Sequence, residues 1–361
     1  MATILDPTQH PPDDLVDWAL AAKVGHRVAG GEPLVVRPAW ARQFTELSTR
    51  ADTAVAEHTG LGGDLAPPVA EPLERSQWVD ANLVTLRRLL KPVGEKVAAR
   101  KAWQQPGTVP ALARQSTQAL TAVQAGALLG YVGQRVLGQY DLPVPGPDAE
   151  GTLFYVVPNI VGTERRHGFR PGDFRLWIAL HETAHRRQFR GVAWLPGHIQ
   201  SLLDEFLSSV EVDEEAVRRI GRRAQALVRK VVAGESVELM DFLVSPEQRQ
   251  VVDRMQATMS VLEGHGEFVM HELGRSMVPD HDRMHRVLHE RRLTPGRTDR
   301  VLQQVLGLRQ KLDQYALGER FVHQLHDKGG MSLVNRVFEE PANLPSLDEV
   351  RAPARWLDRV G

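Results

Sequence analysis

The chain has 361 residues, long enough to bury a sizeable core as one large domain or two. Charged residues make up 25% and hydrophobic ones 42%, an ordinary globular composition, and a formal net charge of -1 gives no electrostatic footprint for nucleic acid. There is no cysteine, which excludes disulfides, thiolate nucleophiles and cysteine-based metal sites, so a metal would have to be held by His, Asp or Glu.

The first residues, MATILDPTQHPPDDLVDW, carry no basic region followed by an apolar run, so no secretory signal is expected. No uninterrupted apolar segment approaches the roughly 20 residues needed to cross a bilayer. The expected location is the cytoplasm, with no membrane partner. A helical pattern runs from about residue 13 to 29, and LGGDLAPPVAEPL, 61–73, reads as a Gly/Pro-rich connection. Two long helical patterns follow, about 75–99 and 110–139, and LGQYDLPVPGPDAEG then reads as a loop. A soft boundary falls there, between an N-terminal helical region, 1–140, and a second region, 141–361, unless the two form one continuous domain.

GTLFYVVPNIV, 151–161, is the best strand candidate, being apolar, β-branched and aromatic between glycines. Pro158 cannot donate to a ladder, which predicts an edge strand. GTERRHGFRPGD reads as a polar loop leading into a helix after Asp173. From about 198 onward the pattern is helical, with breaks near Ser245-Pro246, Pro279 and Thr294-Pro295. The closing EEPANLPSLDEVRAPARWLDRV is punctuated by proline and predicts short turns.

In the helix after Asp173, the positions Phe174, Trp177, Ile178, His181, Ala184, His185 and Gln188 follow the i, i+3, i+4 rule. Two imidazoles therefore share a stripe with bulky apolar side chains, and a spacing of four lets both converge on one ion. Glu182 lies about 100° around the helix, near such an ion without having to ligate it. This is the H-E-x-x-H arrangement, two zinc ligands plus a carboxylate placed to accept a proton from water. The competing reading is a pair of core histidines bonded to protein groups.

A catalytic zinc site usually has three protein ligands and one open position. The candidate third ligand is Glu263, in TMSVLEGHGEFVMHEL, on an apolar stripe of Met255, Met259, Leu262, Gly266, Met270 and Leu273. A carboxylate there is costly unless paired or bound to metal. Gly264 and Gly266 each cost about 1 kcal/mol of helix propensity. They suggest close approach of another backbone, that of the metal-bearing helix. Glu267, one turn on, is a candidate partner for a ligand histidine. It and Glu205 are rivals for the third position, whereas His265 points elsewhere on the helix.

With both segments in hand, the chain is similar to the zincin-like metallopeptidase family called type 2, zinc-dependent metalloproteases. LGQYDLPVP, VVPNIVGTE, FRLWIALHETAHRRQF, AWLPGH, LEGHGEFVM, KLDQYALGERFV and LPSLDEVRAPARWLDRV carry the resemblance, over most of the chain. It implies an α+β, mainly α-helical zincin-like fold with a small sheet and an N-terminal helical region. It also implies Zn2+ on His181 and His185, Glu182 as the catalytic glutamate, and Glu263 as third ligand in the manner of glutamate-type zincins. The reaction this suggests is hydrolysis of a peptide or amide bond. The alternatives are a zinc-binding protein without peptidase activity and an amidase acting on a small metabolite.

Four further features have two readings each. Asn159 either bonds a substrate backbone at the edge strand or merely ends that strand. Tyr315 either donates its hydroxyl to an oxyanion or is packed. His281, His285 and His289 form a second metal site or, as the Arg and Asp around them suggest, a solvated face. Arg165, Arg166 and His167 bind an acidic group or belong to an ordinary basic loop.

Overall fold

The computed structural model describes residues 16–31, 36–98, 111–141, 151–209, 246–293 and 308–361. The fold is α+β and mostly helical, with one three-stranded sheet among the described residues. By internal contact the chain divides into two units, residues 1–49 with 68–179, and residues 50–67 with 180–361.

In the first unit Asp17 caps α1 (Trp18–Ala29), its carboxylate accepting from the Leu20 N–H at 2.9 Å. The long helix α2 (Pro38–Thr59) starts in this unit, in a stretch to which the sequence assigned no element. β1 (Val69–Leu73) precedes α3 (Arg75–Ala98) and α4 (Ala111–Gly133), and β2 (Gly138–Asp141) and β3 (Thr152–Val156) complete the sheet. The strand order is β1-β3-β2, with β1 parallel and β2 antiparallel to β3. α1 and α4 meet through glycine: a Cβ on Gly130 would press on Gly25 O, which fixes a close helix crossing. Trp18, Ala21, Trp78, Val79, Leu83 and Ala122 form one core with Phe154 and Val156 of β3. On the other face of β3, Tyr155 stacks on Phe44 with centroids 4.3 Å apart and shares a 2.7 Å hydrogen bond with Ser48.

Three sequence expectations change here. β3 stops at Val156, and Pro158 lies in the first turn of α5 (Val157–His167), where a missing N–H costs nothing. β3 is therefore the central strand, paired on both sides, and not an edge. The proline that does sit in the sheet is Pro72, in β1, at the edge of the sheet where proline is tolerated. The supposed connection 61–73 thus ends in a strand, and the supposed loop after Gly162 is helix up to His167, closed by Gly168 at φ 63.

The second unit holds the end of α2, the loop that follows, the C-terminal half of α6 (Pro171–Gly191) and the remaining helices. These are α7 (Leu195–Ser209), α8 (Pro246–Met277), α9 (His281–Leu293) and α10 (Leu308–Glu339), which kinks at Gly329-Gly330. The break at Pro279 is a turn between α8 and α9. Those at Ser245 and Thr294-Pro295 lie outside the described residues. The C-terminus is a 3-10 turn (Pro341–Asn343) and two short helices, α11 (Leu347–Arg351) and α12 (Pro353–Val360). They are anchored by the buried Trp356, whose Nε1 donates to Asn343 O at 2.6 Å. α6 is fixed within this unit by Asp52, whose carboxylate accepts from both Arg186 (2.8 Å) and Arg187 (3.0 Å), all three buried. Arg187 also donates to Gly63 O at 2.8 Å, tying down the loop after α2. Among the described residues no helix is long and apolar enough to cross a membrane.

Candidate metal centre

Two helices of the second unit build the centre. His181 and His185 leave α6 on one face, one turn apart, with perpendicular rings and Nε2 atoms 3.1 Å from each other. From α8, Glu263 brings Oε2 to 3.5 Å from His185 Nε2 and 3.8 Å from His181 Nε2. Donors held about 2.0–2.1 Å from a tetrahedral zinc lie about 3.3–3.4 Å apart, so this triangle has the size one such ion requires. The three side chains are 20%, 13% and 21% exposed, so the cluster is largely but not completely buried.

The electrostatics point the same way. Burial alone would lower the His185 pKa, but the Glu263 carboxylate at its Nε2, with Glu182 nearby, raises it to about 9. The carboxylates around it thus favour positive charge at this position. The donor set, two imidazoles and a carboxylate, suits zinc.

The orientation of His185 depends on Gln188, which the sequence reading placed on the stripe without a role. Gln188 Oε1 lies 2.9 Å from His185 Nδ1, so an Nδ1–H donating there makes Nε2 the ring atom turned to Glu263 and His181. The amide nitrogen of Gln188 donates to Leu262 O at 2.8 Å and meets His265 Nδ1 at 2.8 Å. His265 is fully buried, and burial, with the neighbouring His185 and His58, pushes its pKa down to about 3. It is a neutral core group in contact with the helix that carries the centre. The signal for Gln188 was a polar residue, three positions after His185, on an otherwise apolar stripe.

Glu182 is buried, 6% exposed, and close enough for its charge to act on His185. Glu267, also 6% exposed, has Oε2 3.8 Å from His181 Nδ1. Gly266 makes room for the rings: a Cβ there would sit 3.1 Å from His185 Cε1 and 3.5 Å from His181 Cε1. Gly264 serves a different contact from the one expected, since its missing Cβ admits the Gly318 backbone of α10 and not that of α6.

The other sequence candidates fall elsewhere. Glu205 pairs with Arg254 at a half-exposed position. Asn159 lies in the first unit on α5, not at a strand end. Its carboxamide donates to Gly133 O (2.8 Å) and Val136 O (2.6 Å) and accepts from Arg75 Nε (2.7 Å), which commits it to structure. Tyr315 is within α10, but its side chain, like that of His289, lies outside the described residues. Arg165 and Arg166 are exposed in the last turn of α5, where they complement the helix dipole. His281 is 4% exposed and packed against His271, so the solvated-face reading fails for it: α9 turns this edge inward onto α8.

A comparison with curated proteins found no match. Among solved structures, the chain is similar to a protein from Chloroflexus aurantiacus whose crystal structure is described as that of a "putative hydrolase with a novel fold". The two share 30% identity over 96% of this chain and 98% of the other, with a TM-score of 0.68. The profile of the family described as zincin-like metallopeptidase matches residues 16–357, nearly the whole chain and every donor above. Family and neighbour support a hydrolase, and the family implies a metal, typically zinc. A histidine pair and a glutamate converging from two helices, within a match of that extent, make this chain a member of the zincin-like metallopeptidase family.

Proposed function

We propose that the protein is a zinc-dependent hydrolase that cleaves a peptide or amide bond. The observation that carries this is the convergence of His181, His185 and Glu263, with Glu182 buried beside them. His181, His185 and Glu263 hold the ion, Gln188 orients the His185 imidazole, and the Glu267 carboxylate faces His181 Nδ1. When bound, zinc supplies a Lewis acid that makes water nucleophilic near neutral pH. Glu182 accepts the proton of the attacking water and returns it to the leaving amine, so that nitrogen departs as a neutral group. Its position on the helix that bears both histidines fixes its distance from the reacting atoms. The cytoplasm remains the expected location.

The test is Glu182→Gln, which keeps size and polarity but cannot hold the proton. Zinc content is expected to be unchanged, while hydrolysis of a peptide library, chelator-sensitive in the parent, falls by about 100-fold to 10,000-fold. Undiminished hydrolysis would remove Glu182 from its role. A parent that binds zinc but cleaves neither peptides nor small amides would leave a metal-binding protein without this activity.

A further inference from the structure

Beyond the first centre, the second unit contains another set of inward-facing donors. We propose that Glu267 and His271 of α8, with His285 of α9 and Glu319 of α10 at the edge, form a second site for a divalent transition-metal ion.

The inference starts from His271, which is 5% exposed. Its Nδ1 lies 3.0 Å from His281 Nε2, and His281 Nδ1 lies 3.0 Å from Asp282 Oδ1. An ionised Asp282 can only accept, so His281 carries its proton on Nδ1 and offers a lone pair at Nε2. His271 then donates from Nδ1, and in its neutral form, the one that can ligate, it keeps a lone pair on Nε2.

His271 Nε2 is buried and has no hydrogen-bond partner among the described residues. What faces it is negative charge: Glu267 Oε1 at 3.7 Å and Glu319 Oε1 at 3.8 Å. Both distances exceed a hydrogen bond, and a lone pair beside two carboxylate oxygens is repulsive unless positive charge lies among them, which a bound cation supplies. His285 closes the group. Its ring stands at 84° to that of His271 with centroids 4.0 Å apart, and it brings a donor within 4.8 Å of those on Glu267 and His271. Two imidazoles with one or two carboxylates match zinc, iron(II), cobalt(II) or manganese(II) rather than calcium or magnesium, which prefer oxygen alone.

Glu267 belongs to both neighbourhoods. One of its oxygens faces His271, and the other lies 3.8 Å from His181 Nδ1. Filling the second site would fix the carboxylate that faces His181 Nδ1. The inference does not rest on the hydrolase reading, because its donors other than Glu267 take no part in that chemistry.

The experiment uses the full chain, stripped with a chelator and titrated with Co2+ or Zn2+, with bound metal counted by mass spectrometry of the dialysed protein. Two ions per chain are expected. His285→Ala should lose one, its affinity weakened by more than about 100-fold, beyond the usual effect of losing an outer hydrogen bond. His185→Ala should lose the other, so the two sites fail separately. A parent chain that holds a single ion, lost in His185→Ala and kept in His285→Ala, would overturn the proposal. So would a second ion unaffected by His285→Ala. If circular dichroism shows that His285→Ala does not fold, Glu319→Gln replaces it, with weakening of at least about tenfold in the second ion alone expected.

Discussion

Gln188 shows how much of a metal centre can depend on a side chain that never reaches the ion. Its amide spends one end on His185 Nδ1 and the other on Leu262 O and His265 Nδ1, so a single group links both helices of the centre. Gln188→Leu keeps most of the volume but leaves an imidazole N–H and a ring nitrogen unpaired in the interior and removes the second donor to Leu262 O. The expected outcome is a zinc affinity reduced by about 10- to 100-fold, read by competition with a fluorescent chelator. An unchanged affinity would mean that packing alone orients His185. The histidine pair itself was legible in the sequence because both rings lie on one periodic stripe. Gln188 was not, since a polar residue on that stripe names no partner until Leu262 and His265 are brought next to it.

At the scale of elements, the contact between α8 and α10 is made by glycine on both sides. A Cβ at Gly264 would enter the backbone of Gly318 and Glu319, and one at Gly318 would enter the backbone of Ser260. Helix propensity favours Gly264→Ala by about 1 kcal/mol, whereas overpacking costs about 1–3 kcal/mol and here meets rigid backbone. Packing should therefore win, and Gly264→Ala should lower stability in denaturant unfolding. Stabilisation would show that the two helices are free to separate. The same helix explains why periodicity misled. From Gly264 to Met270 every residue of α8 is buried, so the helix has no solvent face there and His265, assigned to another side, is as deep as its neighbours. β1 was hidden for a related reason. Pro72 and the prolines before it look like a breaker, and only pairing with β3 shows that residues 69–73 are an edge strand.

For the molecule as a whole, the near-neutral net charge leaves acid stability to particular groups, and His265 is the clearest of them. Its pKa falls from an ordinary 6.5 when unfolded to about 3 when folded. Between those values the unfolded chain binds the additional proton, so stability rises with pH across this window and is lost as pH falls below about 6.5. The slope from one such group is about 1.4 kcal/mol per pH unit. Unfolding of the parent between pH 4 and 6.5 should show this dependence, and His265→Gln should flatten it. A profile identical in the two proteins would assign the acid sensitivity to other groups. Nothing in composition or period could have located this residue, because its pKa is set by burial among groups distant in the chain.

His185 and Glu263 are 78 residues apart in the sequence. A segment covering α6 alone carries both imidazoles and can offer an ion only a weak two-point chelate. Closing the third corner requires α8 to dock, a non-local step that comes after helices have formed locally. In a refolding reaction with cobalt present, the absorption of the four-coordinate ion should therefore lag behind the recovery of helical signal. The ion acts as a clock for tertiary assembly, and any lesion that delays docking of α8 would be visible as a delay in colour.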